Sequence, residues 1–160
     1  MMKPRPNKTL TITILTTALV IISVVILRPV VNRLQDDADT NQVYSASTKL
    51  TDQIKLYKSS NPQKTVGLSD VQNILKQTPS LQNLRNPQTN QPYIVKSVDA
   101  KDFITGPNGM EFLNYAGLDG TSFYFGSGSC SDPSQKDQSF IAYSINLKRT
   151  GEAKGSCREI

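Results

Sequence analysis

Asp99, Asp102, Glu111 and Asp119 lie in a loop-rich stretch of this chain. Carboxylates grouped in that way are the raw material of acid–base pairs or of an oxygen cage for calcium. No recognised spacing supports either chemistry, and Asp and Asn in such loops ordinarily serve turns. The 160 residues include no histidine and no tryptophan. Imidazole-dependent zinc, iron and copper sites are thereby removed, together with the Ser-His and Cys-His nucleophile pairs. The expectation is a protein that is not an enzyme, holds no metal and needs no cofactor.

Two further groups could do chemistry. Cys130 and Cys157 are the only cysteines; two thiols without histidine make a poor metal site, whereas a disulfide is favoured outside the cytoplasm. Lys136, Lys148, Arg149 and Lys154 belong to the same C-terminal region and offer cations to DNA phosphates. Asp132, Asp137 and Glu152 offset most of that charge, so solvated loop charge is the simpler reading.

The positions of these groups depend on what precedes them. The formal charge of +5 comes entirely from residues 1–34, which carry Lys3, Arg5, Lys8, Arg28 and Arg33 and no acid. Between the two basic flanks, residues 10–27 form eighteen positions without a charge, close to the roughly 20 that cross a bilayer. Arg28 can snorkel to the headgroups, and Asp36, Asp37 and Asp39 follow on the far side. That asymmetry predicts a single-pass segment with a cytoplasmic N-terminus and an extracytoplasmic body. A cleaved secretory signal fits less well, because its apolar region is shorter and small residues follow it at the cut. Here Arg28, Pro29, Val30 and Val31 follow.

Beyond Pro29, apolar residues recur at Val30, Leu34, Ala38, Val43, Ala46, Leu50, Ile54 and Tyr57, mostly in the steps of three and four that mark one face of a helix. A kink is expected at Pro29, and Ser59-Ser60-Asn61-Pro62 ends the helix. Ser69 with Gln72 predicts the start of a second, short helix with Leu68 as its staple, stopped at Thr78-Pro79. Strands are expected at 92–96, 122–125 and 140–148, the last with Ile141, Tyr143, Ile145 and Leu147 on one side. Residues 101–120 are read as a long surface connection. The organisation is a basic leader at 1–8, a membrane helix at 9–31, its amphipathic extension at 32–60 and a head at 61–160.

A basic leader, an apolar helix with an internal proline, an amphipathic extension, a small sheet and a late cysteine pair together resemble the type IV pilins and the pseudopilins of type II secretion. Thr9-Leu10 is similar to the Thr-Leu that opens the family's apolar segment, and on that register Pro29 falls on its helix-kinking proline. Asn86-Pro87-Gln88-Thr89-Asn90-Gln91-Pro92-Tyr93 is similar to the family's Asp-Pro-x-Thr-Gly-x-Pro-Tyr turn. The stretch 142–147 followed by Cys157 looks like its last strand and disulfide loop. The family's peptidase site is a glycine before Phe-Thr-Leu-x-Glu. Asn7 stands here for the glycine, Lys8 for the phenylalanine and Ile12 for the glutamate, which makes Asn7-Lys8 the candidate processing site.

The resemblance implies an α+β fold, with the long N-terminal helix packed on a small antiparallel sheet of about three strands closed by a C-terminal disulfide loop. It implies a filament subunit serving adhesion, motility, DNA uptake or secretion, whose partners are copies of itself or other pilin-like subunits. Thr9, Leu10, Thr13, Thr17 and Ala18 would pack between neighbouring helices, although threonines also bond their own helix. The alternative is a membrane-anchored extracellular binding module that does not polymerise, its head touching a surface, a polysaccharide or DNA.

Overall fold

The computed structural model describes residues 8–98, 104–106, 109–111, 122–130, 135, 137–147, 149 and 153–160; for 8–15, 18–20, 104–106, 109–111, 146 and 153 it describes the backbone alone. Helix α1 runs from Lys8–Ser60, 53 residues, about 80 Å at 1.5 Å per residue. Pro29 lies inside it and the helix resumes on the far side. At its end the last carbonyls need partners. The Asn61 side-chain amide supplies one to the Tyr57 carbonyl, while the Ser59 and Ser60 hydroxyls bond back to the carbonyls of Lys55 and Leu56.

Only the C-terminal part of α1 meets the head. Val43, Ala46, Leu50 and Ile54 are buried, whereas Val30, Leu34 and Ala38 are exposed. The apolar stripe therefore serves the head from Val43 onward. The five-residue step from Ala38 to Val43 is not a defect in the stripe. Counting back seven residues from Val43 arrives at Asp36, which is 1% exposed, so the buried face continues but becomes acidic.

Helix α2 (Leu68–Gln77) begins two residues earlier than its sequence signature suggests. Gly67 is the cap, and Asp70 reaches back to accept from the Gly67 amide at 3.0 Å. Ser69 lies inside the helix, and Gln72 donates to the Val95 carbonyl at 2.9 Å, tying α2 to the sheet. Asp70 also joins the helices: Lys64 Nζ donates to it at 2.6 Å and to the Tyr57 hydroxyl at 2.7 Å. Lys64 and the Gly67 amide hold the Asp70 carboxyl below its ordinary value, and the same ion pair raises Lys64. Thr78-Pro79 does end α2, and Pro79 opens the one-turn helix α3 (Pro79–Gln82).

The strands are β1 (Val95–Ser97), β2 (Ile104–Gly106), β3 (Gly109–Glu111), β4 (Phe123–Ser127), β5 (Ser139–Asn146) and β6 (Ala153–Glu159). Their arrangement corrects the sequence expectation in three respects. The main sheet has four strands in the order β1-β4-β5-β6. It is mixed, because β1 pairs with β4 in parallel; the long connection between them returns the chain to the end where β1 began. Inside the stretch 101–120, read above as connection, β2 and β3 form an antiparallel hairpin.

The register sorts side chains onto two faces. Phe123, Phe125, Ile141, Tyr143 and Ile145 face the α1 stripe and form one core with it. Tyr93 stacks on Phe123 with ring centroids 4.6 Å apart. Tyr124, Phe140 and Ala142 form a second cluster, with Val98, Cys130 and Cys157 against it. Strand β5 is thus buried on both faces, not half-buried as its alternation suggests. Cys130 and Cys157 are joined in a disulfide across 27 residues, which ties the segment after β4 to β6. Closure of a loop of that size contributes about 3.5 kcal/mol in the chain-entropy model.

Two substitutions test this packing in opposite directions. A Cβ added at Gly126 would meet the Phe140 ring and stand 2.9 Å from the Val98 carbonyl oxygen. Gly126→Ala should lower the unfolding free energy by about 1–3 kcal/mol, as overpacked cores do. Thr51 is buried and its hydroxyl has no hydrogen-bond partner among the described residues, unlike that of Thr48, which donates to the Tyr44 carbonyl. Thr51→Val should therefore raise stability by about 1 kcal/mol. Chemical denaturation reads both, and a neutral Gly126→Ala or a destabilising Thr51→Val would refute the corresponding contact.

Candidate functional site

The chemistry of the described chain concentrates where α1 leaves the head. Three acids stand on that part of the helix, Asp36, Asp37 and Asp39, and the β5–β6 end of the sheet brings two cations to them. Arg149 Nη1 donates to Asp36 Oδ1 at 3.3 Å and to Asp39 Oδ2 at 2.8 Å. Lys154 Nζ donates to Asp37 Oδ1 at 3.2 Å. Asp39, and then Asp36, raise the Arg149 guanidinium further above its ordinary value. Four residues beyond Lys154, the Arg158 guanidinium lies 4.4 Å from the centre of the Tyr44 ring. Lys154 and Arg158 share one face of β6 because strand side chains alternate, and that face is turned to α1.

Tyr93 completes the neck. Burial, followed by the charges of Asp39 and Tyr143, pushes its phenol above the ordinary value, and its hydroxyl has no hydrogen-bond partner among the described residues. The pairs around it are ionic and face different surroundings. Asp36 is enclosed, with its side chain 2% exposed, whereas Asp37 is 62% exposed. A buried carboxylate depends on its cation far more than an exposed one does. The neck is accordingly an electrostatic fastening between α1 and the sheet.

The residues singled out in the sequence fall as follows. Cys130 and Cys157 are bonded to each other. Pro29 and Thr17 are exposed on α1, while Thr9, Leu10, Thr13 and Ala18 lie on its backbone with side chains outside the described residues, as does that of Lys8. Asn7, Asp99, Asp102 and Asp119 also lie outside them, and of Glu111 only the backbone at the end of β3 is described. Of the cations considered for DNA, Lys136 and Lys148 are outside the described residues; Arg149 and Lys154 are committed to the acids of α1. Among the described residues no group of His, Cys, Asp or Glu could hold a metal ion. The spacing of apolar residues does not announce this fastening, because an acid occupies the buried face at Asp36; the seven-residue step back from Val43 is the one signal of it in the sequence.

Below the neck nothing among the described residues covers α1. Ile21, Ile22, Val24, Val25, Ile26 and Leu27 are each 56–66% exposed. At 100° per residue these positions occupy every side of the helix, which is the pattern of a helix immersed in apolar surroundings and not of one lying on a core. Among the described residues no helix is long and apolar enough to cross a membrane; half of the uncharged run 10–27 has side chains outside those residues.

The two halves of the fastening should respond unequally to substitution. Arg149→Ala takes a cation from the enclosed Asp36, so it should lower the melting temperature clearly more than Lys154→Ala, and Asp36→Asn in the Arg149→Ala background should restore part of the loss. Thermal melts at low ionic strength measure the order, and equal effects of Arg149→Ala and Lys154→Ala would show that Asp36 is not held as described. No family model, no curated protein and no solved structure matches this chain.

Proposed function

We propose that this protein is a membrane-anchored, pilin-like subunit of a type IV pilus-like or pseudopilus filament, held to the membrane and to its neighbours by the N-terminal part of α1. The observation that carries the proposal is the change of pattern along one helix. From Val43 to Ile54 a single stripe is buried against the head, while from Ile21 to Leu27 apolar side chains project on all sides. A helix apolar all round needs lipid or other helices about it.

The turn at 86–92 gives the family resemblance a physical basis. Asn90 has φ 56°, in the left-handed region that glycine enters freely and asparagine tolerates. It stands at the position where the pseudopilin turn carries glycine. Asn86 is 1% exposed, and its side chain accepts from the amides of Gln88 and Thr89 at 2.9 and 3.1 Å, the part an aspartate would play there. The mixed sheet closed by the Cys130–Cys157 disulfide is compatible with an extracytoplasmic head.

The departure at the leader divides filament from simple anchor. With Asn7 and Lys8 where the family has glycine and phenylalanine, and Ile12 where it has glutamate, retention of the whole leader would favour a single-pass anchored module that does not polymerise. Intact mass and N-terminal sequencing of the protein extracted from its own cells separate the two. A mature chain beginning at Lys8 or Thr9 is the outcome expected for a filament subunit. A chain beginning at Met1 or Met2 would replace the filament by the anchored module, and recovery in the soluble fraction with the apolar run removed would overturn both.

A further inference from the structure

Arg28 and Arg33 are both exposed on α1, and neither has an ionic or hydrogen-bonding partner among the described residues. Their isolation is unexpected from spacing alone. Asp36 and Asp37 stand three and four residues beyond Arg33, the separations at which helix side chains meet. Both acids are turned to the head instead: Asp36 to Arg149 and Asp37 to Lys154. The head thereby takes the nearest carboxylates and leaves two guanidinium groups free just below the neck.

We infer that the segment 28–34 of α1 is a binding collar for anionic phospholipid headgroups, with Arg28 and Arg33 on the phosphates. This rests on the anchored reading of α1 and adds the lipid class. Five residues separate the two arginines, about 7.5 Å along the axis and about 140° around it. They point to different sides of the helix, and their long stems bring both charges within one headgroup layer. Val30, Val31 and Leu34 are exposed between and beside them, giving apolar contact at the same level. Arginine presents the planar fork that pairs with phosphate oxygens.

The neck suits the same surface. Three carboxylates begin about 4.5 Å above Arg33 along the axis, close enough to repel an anionic leaflet within the screening length. Arg149 and Lys154 pair with all three. The head can then stand directly over the lipid without opposing the arginines beneath it.

The full chain reconstituted in phosphatidylcholine vesicles, with spin-labelled phosphatidylglycerol or spin-labelled phosphatidylcholine as reporter, tests this directly. Each arginine should favour phosphatidylglycerol by about fivefold. Arg28→Gln with Arg33→Gln should lower the preference by about 25-fold, down to what the basic residues Lys3, Arg5 and Lys8 supply. Lys49→Gln with Lys55→Gln, which removes the same charge from the exposed face of α1 at the head, should leave it intact. An unchanged melting temperature of the head shows that each variant is folded. Vesicle-bound protein with no preference, or with a preference left unchanged by loss of both arginines, overturns the lipid collar while the anchored reading stands. Protein that fails to float with the vesicles overturns both.

Discussion

The burial of Val43, Ala46, Leu50 and Ile54 against Phe123, Ile141, Tyr143 and Ile145 is the contact on which the remainder of the molecule depends. It joins the first half of the sequence to the last quarter, so nothing local holds it in place. Because the α1 stripe repeats every seven residues through 36, 43 and 50, the helix keeps one side to the sheet over two heptads. The sheet in turn can present an apolar face of that length only because β4 and β5 pair in a register that aligns Phe123 with Tyr143 and Phe125 with Ile141. Tyr57, Lys64 and Asp70 then fasten α2 at one end of this contact, and the Asp36–Arg149–Asp39 cluster fastens the sheet at the other.

The second face of the sheet explains the position of the disulfide. Tyr124, Phe140 and Ala142 are large or tightly enclosed on a side that α1 does not reach. Gly126 lets the Phe140 ring approach the β4 backbone closely, and the Cys130–Cys157 bond closes the edge of the same cluster. Glu159 reinforces it by accepting from the Ser129 hydroxyl at 2.5 Å and from the Cys130 amide at 3.2 Å. A head with two thin cores on opposite sides of one sheet gains from such a covalent tie, since neither core is large.

Much of the fold was legible because its signals are periodic. The helical stripe, the alternation of β5 and the proline stops all follow from spacing. What escaped was held by pairing instead of pattern. Strand β6 reads Ala153-Lys154-Gly155-Ser156-Cys157-Arg158-Glu159, which has no apolar alternation; it is a strand because β5 offers it seven partners. The β2–β3 hairpin lies in a stretch whose Gly and Asn content argued for loop. The cap of α2 was displaced because the cap residue is a glycine, whose role shows only through Asp70 reaching back to its amide. Asp36 escaped for the same reason as β6. Its burial is decided by Arg149, a residue 113 positions away, and no local pattern can announce such a partner.

Charge along α1 then follows a physical order. Between Thr9 and Gln35 the only charged side chains are Arg28 and Arg33, and both have stems long enough to carry their charge away from an apolar medium. A carboxylate on a short stem has no such recourse, and an ionised acid in hydrocarbon is costly unless paired. The first acid accordingly appears at Asp36, the first position where the head can supply a cation to meet it. The sequence thus passes from uncharged, to cationic and self-extending, to acidic and paired. On the proposed anchored reading, each step occurs at the height on the helix where its surroundings can bear it, and the point where α1 meets the head would also fix how far its apolar part is immersed.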